Sequence, residues 1–173
     1  MRIFLIIMAT ISALVTASVA QASESRFYQK IQGKWSGPGE IVAGKYKGTK
    51  FVCTFDGASP DRNIGMDIDG SCRVGVFSTP MTAEIIKKAG KYIGAFLDGE
   101  KGDGMDVTGG RYTRDRLVVN IKRNNLDSIM VAKLKNDNAL NVTISVKHHD
   151  RLIPVIGMNL SRKSDSIVTG SVD

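Results

Sequence analysis

Apolar and polar residues alternate in short runs along most of this chain, with a period of two. ALNVTISVKH sets Leu140, Val142, Ile144 and Val146 against Asn141, Thr143 and Ser145. KFVCTFDG gathers Phe51, Cys53 and Phe55 on one side. IGMDIDGSCRV gathers Met66, Ile68, Cys72 and Val74, with Asp67 and Asp69 opposite. RLVVNIKRN alternates Leu117, Val119 and Ile121, and PVIGMNLSRK gives Ile156, Met158 and Leu160. Successive side chains of a strand point to opposite faces, so each run predicts a strand with one dry face and one wet face. That is the pattern of antiparallel sheet.

Glycine and Asn/Asp clusters punctuate these runs. Lys135-Asn136-Asp137-Asn138 separates SIMVAKL from ALNVTISV and offers residues that tolerate positive φ. MTAEIIKKAGKYIGAFLDG has the Ala, Glu and Lys of a helix, but Gly90 and Gly94 would each cost about 1 kcal/mol there. A hairpin turning at Lys87–Lys91 is therefore expected. One helix is predicted, over SESRFYQKIQ (23–32), with Ser23 or Ser25 as its cap and Phe27, Tyr28 and Ile31 on its apolar side. DGEKGDG (98–104) and DGASPDRN (56–63) read as the longest loops. About eight to ten strands follow one another without a crossover. This predicts an all-β fold, a single closed or nearly closed antiparallel meander barrel with a short N-terminal helix. Closure would also remove exposed strand edges. A two-sheet β-sandwich is the alternative.

The first residues change the picture of compartment. Arg2 precedes an apolar run from Ile3 to about Val19, followed by Ala20-Gln21-Ala22, a small-x-small site. Residues 1–22 are expected to be a cleaved secretory signal, leaving 23–173 as one β-barrel domain. Those 151 residues can bury roughly two-thirds of their unfolded surface. No later stretch approaches the ~20 apolar residues of a membrane-spanning helix. A periplasmic or secreted protein, and a monomer, is expected. Cys53 and Cys72 are the only cysteines, and in an exported chain they are expected to form a disulfide. The full chain carries a net charge of +7; loss of Arg2 with the leader leaves +6. The cations are dispersed, which suits a solvated surface or attraction to anionic lipid or polysaccharide of the envelope. Nucleic acid is not an expected partner, since no recognition motif is present.

The single tryptophan adds a resemblance. Gly33-Lys34-Trp35 stands between the expected helix and the first strand, and Arg162 falls on the inward side with Met158 and Leu160. A guanidinium over an indole covers apolar surface while meeting the negative face of the ring. Gly33, Trp35 and Arg162 together resemble the calycin superfamily: lipocalins, fatty-acid-binding proteins, avidins and small periplasmic metalloprotease inhibitors. The resemblance implies a barrel with Trp35 and Arg162 closing one end.

Chemistry is sparse. His148 and His149 are the only histidines, and as neighbours on a strand they would point to opposite faces, so no metal site is expected. Asp98, Glu100, Asp103 and Asp106 do not fit a calcium loop, because Gly102 stands where a carboxylate or amide is needed. No serine lies in a nucleophile motif, and no phosphate-binding glycine motif occurs. No cofactor is expected. The expectation is a non-enzymatic binding protein of the cell envelope that takes a small apolar or amphipathic ligand. Inward residues Phe51, Phe55, Ile68, Phe96, Val119 and Ile144 would line its site. A protein-interaction or inhibitor module with a filled barrel, acting on an envelope protein, is the alternative. So is a basic factor for anionic lipid or polysaccharide.

Overall fold

The computed structural model describes residues 22–60, 64–97 and 105–163. Helix α1 (22–31) leads directly into β1 (Gly33–Ile41). Then come β2 (Lys50–Ala58), β3 (Ile64–Val74), β4 (Phe77–Lys88) and β5 (Lys91–Leu97). The second half holds β6 (Met105–Tyr112), β7 (Arg116–Arg123), β8 (Leu126–Asn136), β9 (Ala139–His148) and β10 (Arg151–Arg162). Each strand pairs antiparallel with the next, and β10 returns to pair with β1, so the meander closes into a ten-stranded barrel. The closing seam sets Trp35 opposite Arg162 and Gly39 opposite Met158. The sandwich alternative is excluded by this seam.

The alternation that predicts the strands also sorts inside from outside. Val119, Ile121, Leu140, Val142 and Leu160 are buried in the barrel, while Asp67, Asp69, Asn120 and Lys133 face outward. This is the reverse of a membrane-spanning barrel, which puts its apolar band outside. No helix among the described residues is long and apolar enough to cross a membrane.

Turn chemistry fixes the hairpins. Ala89 and Gly90 both take positive φ, 48° and 80°, at the two-residue turn between β4 and β5, the geometry that matches strand twist. The turn after β8 is held by Asn138 N–H donating to Asn136 Oδ1 at 2.9 Å.

Several elements differ from the sequence reading. The helix runs 22–31 rather than 23–32, so Ser23 lies in its first turn instead of capping it. Strand β6 was not visible in the pattern, because Gly109 and Gly110 interrupt the alternation and a bulge follows Val107. Asp56, Gly57 and Ala58 extend β2 instead of opening a loop; residues 61–63 and the acidic 98–104 segment lie outside the described residues, as does the leader up to residue 21.

Cys53 and Cys72 form a disulfide, as expected from the sequence, and they are direct cross-strand partners on β2 and β3. Cys53 is fully buried inside the barrel, with Sγ 3.9 Å from Met158 Sδ. The bond closes a segment of 19 residues, which constrains the unfolded chain by about 3 kcal/mol. Urea unfolding with and without reductant is expected to show a stability loss of about that size. A difference below about 1 kcal/mol would mean that the strand pairing alone holds this register.

Candidate functional site

The barrel has two different ends. At one end β2, β4, β6 and β8 finish, and α1 lies across it. At the other β1, β3, β5, β7 and β9 finish, and no described helix covers it.

At the helix end the closure is built from the C-terminus of α1, whose last carbonyls lack partners within the helix. Trp35 Nε1 donates to the Ile31 carbonyl at 2.9 Å. Arg162 Nη1 donates to the Gln32 carbonyl at 2.6 Å, Nη2 to that of Lys30, and Nε to that of Asp137 at 2.9 Å. The guanidinium sits 4.4 Å from the Trp35 ring centre. One planar cation thus covers the indole and ties α1, the β8–β9 turn and the barrel seam together. Gly33, at φ 86°, lets the chain leave the helix and enter β1 beneath Arg162.

The N-terminal half of α1 is fixed by a buried polar cluster. Glu24 is only 4% exposed, pairs with Lys87 at 2.5 Å and accepts a hydrogen bond from the Tyr92 hydroxyl. Tyr28 is buried beside them; the Tyr92 hydroxyl acts on it as a hydrogen-bonding neighbour, although no bond of normal geometry joins the two, and the Glu24 carboxylate acts on it through charge. Burial pushes both tyrosines well above the ordinary phenol range, and for Tyr92 the bond to the Glu24 carboxylate adds to it. Tyr112 donates to the Ser23 carbonyl at 3.2 Å.

Above this floor the barrel encloses a cavity of about 130 Å³. Trp35 and Ile31 form its base, and Leu117, Ile121, Leu140 and Val142 contribute to its wall. Phe55, Ile68, Phe96 and Ile144, expected from the sequence to face a ligand, all line it. Phe51 and Val119 do not. Gly39 has no side chain, so the Phe51 ring folds onto β1 against Met158, nearer the uncovered end. Val119 is wholly buried in the packed core.

The wall also holds residues that the sequence reading passed over. Met66, Met81, Met105, Met130 and Met158 all line the cavity, and they are all the methionines of the chain beyond Met1 and Met8. Their alternation with polar neighbours was legible, but their convergence needed the closed barrel. Methionine is flexible and polarisable, and it moulds itself to irregular shapes. On the β4–β6 side, Met81, Thr82, Phe96 and Met105 carry the cavity toward the uncovered end; Thr82 supplies the one hydroxyl-bearing residue in the lining.

No protein-family model matches the chain, and no curated protein matches it significantly. The closed ten-stranded antiparallel barrel with one short helix is consistent with a calycin-like architecture.

The histidines are placed differently from the strand-parity expectation. His149 leaves the strand at φ 53°, in the turn after β9, and its ring packs edge-to-face on His148 at 4.3 Å. Parity does not apply once the backbone turns. No group of three or more His, Cys, Asp or Glu converges among the described residues. Asp106, the one described residue of the acidic segment, stands on β6 opposite Lys122.

Proposed function

We propose that this protein is a non-enzymatic carrier or sensor of a small apolar or amphipathic ligand in the cell envelope, of the calycin type. The observation that carries the reading is the cavity: apolar, methionine-rich, and floored by the Trp35–Arg162 pair. An apolar space of ~150 Å³ is large enough for a benzene-sized molecule. The cavity is therefore sized for a single ring or the end of an alkyl chain, with a polar head left toward the uncovered end. Export rests on the leader-like first 22 residues and agrees with a disulfide, which persists in oxidising compartments.

Trp35 is the only tryptophan and stands in the cavity base, so its emission reports on the site directly. A series of straight-chain alkanoic acids and alkylbenzenes is expected to shift that emission saturably. Ala132→Phe, which places a ring into the space, is expected to abolish the shift while the far-ultraviolet circular dichroism spectrum stays unchanged. Native mass spectrometry of the exported protein, compared with its denatured mass, identifies any resident ligand. A bare mass together with no Trp35 response across the series would overturn the reading. Weight would then pass to a protein-interaction module with a filled barrel.

A further inference from the structure

The two ends of the barrel differ in one chemical respect that the cavity does not explain. Large apolar side chains are exposed at every described turn of the uncovered end. Val76 and Phe77, at the β3–β4 turn, are 88% and 79% exposed. Val42 and Tyr46 stand on the β1–β2 connection, Leu126 begins β8, and Leu152 and Ile153 open β10. Leu97, where β5 ends, completes the ring. Among the described residues, only Val52 and Ile93 are comparably exposed away from these turns. Among the described residues the helix end exposes one such side chain, Ile93, the third residue of β5. Apolar residues at turn tips run against the usual polar chemistry of turns, and exposed apolar rings mark contact surfaces.

Among the described residues, exposed cations outnumber exposed carboxylates around this ring: Lys45 and Lys47 flank Tyr46, Lys50 opens β2, Arg73 precedes Val74 and Arg151 precedes Leu152, against Asp127 beside Leu126 and Asp150 beside Arg151, while Lys122 faces Asp106 and Asp127 across the strands. Lys45 reaches over the Tyr46 ring at 5.4 Å. We propose that the uncovered end docks on an anionic lipid bilayer surface, inserting the turn tips among the acyl chains while the cations meet headgroups.

The arrangement favours a bilayer over a protein partner. A protein interface needs a contiguous apolar core from which lysine is depleted. Here groups of one to three apolar residues stand on separate turns, with Lys45, Lys47, Lys122, Arg73 and Arg151 beside them rather than around one apolar centre. A fluid interface accepts such tips one by one, and long basic side chains extend from it to the headgroups. The charge complementarity is general to the molecule, since the helix end also carries Lys88, Lys91 and Arg116. The apolar ring is what selects the end. Docking of this kind does not require the cavity to hold a ligand, although an apolar ligand leaving by that end would pass directly into lipid.

The test is co-sedimentation of the exported protein, its N-terminus established by mass, with vesicles of phosphatidylglycerol and phosphatidylethanolamine, and with vesicles of phosphatidylcholine alone. Binding is expected on the anionic vesicles and is expected to be weaker on the neutral ones. Val76→Asp combined with Phe77→Asp, both already in water, is expected to weaken it by about tenfold or more with an unchanged circular dichroism spectrum. Lys88→Glu combined with Lys91→Glu, at the helix end, is expected to change it by less than about twofold. Three results would each overturn the proposal: no binding of the unaltered protein at low salt, equal loss from both double variants, or retention on soluble anionic polysaccharide without vesicle binding.

Discussion

Trp35→Ala is expected to remove about 4 kcal/mol of folding stability, within the 3–5 kcal/mol range of buried Trp truncations. Three losses act together at this position. The indole is 2% exposed and forms the base of the cavity, so its removal enlarges an existing void. The Ile31 carbonyl loses its donor at the helix C-terminus. Arg162 keeps its carbonyl partners but loses the ring beneath it, which exposes its apolar face to an empty space. A single domain is stable by only about 5–15 kcal/mol, so the variant gives up a large share of the total. Urea unfolding followed by far-ultraviolet circular dichroism measures the loss without relying on the missing fluorophore. Trp35→Phe, which keeps a ring under the guanidinium, is expected to lose about half as much. A loss below about 1 kcal/mol for Trp35→Ala would show that Arg162 and its carbonyl contacts close this end without the indole.

Period-two alternation made most of the barrel legible, because one-sided burial is written directly into the order of residues. Leu140, Val142 and Ile144 read the same way in sequence and in space. The alternation fails where the backbone bends. In β6, Gly109 and Gly110 and the bulge after Val107 broke the signal, although the strand pairs with β7 along most of its length. At His149 the chain had already left the strand. Facing inward was also not enough to decide which residues meet the cavity. Phe51 and Val119 point the correct way, but Gly39 lets one fold aside and close packing encloses the other. Whether an inward side chain packs or lines depends on its cross-barrel neighbours, which no local pattern contains. The methionine wall was hidden for the same reason. The apolar turn tips are written in the sequence as Val74-Gly75-Val76-Phe77, apolar where a turn is usually polar.

The helix and the barrel answer to different interactions. The C-terminus of α1 is held by Trp35 and Arg162, and its N-terminal half by Glu24 with Lys87 and Tyr92. The first attachment rests on a guanidinium and an indole that donate to main-chain carbonyls. The second depends on phenols that must stay neutral.

Alkaline solution is therefore expected to unfold this protein steeply. Unfolded tyrosines ionise near pH 10, while burial holds Tyr28 and Tyr92 protonated in the folded state to well above that. Above pH ~10 the native state then binds more protons than the unfolded chain, so stability falls as pH rises. It is fully present below pH ~10 and is lost between there and the raised folded values, at about 1.4 kcal/mol per pH unit for each tyrosine. Two such groups give a slope of about 2.7 kcal/mol per unit. Tyr112 is raised too, first by burial, but it is only partly buried and adds less than the two wholly buried tyrosines. Urea midpoints taken at intervals from about pH 8 to 12 measure the slope, with tyrosinate absorbance as a parallel readout. Tyr28→Phe is expected to halve it. At neutral pH that variant leaves stability unchanged or raises it by up to about 1 kcal/mol, because it deletes a buried hydroxyl without a hydrogen bond. Tyr92→Phe also halves the slope but costs stability at neutral pH, since Glu24 loses a buried donor. A flat stability profile between pH 10 and 11, or Tyr28→Phe and Tyr92→Phe behaving alike at neutral pH, would show that the helix is not anchored by this cluster.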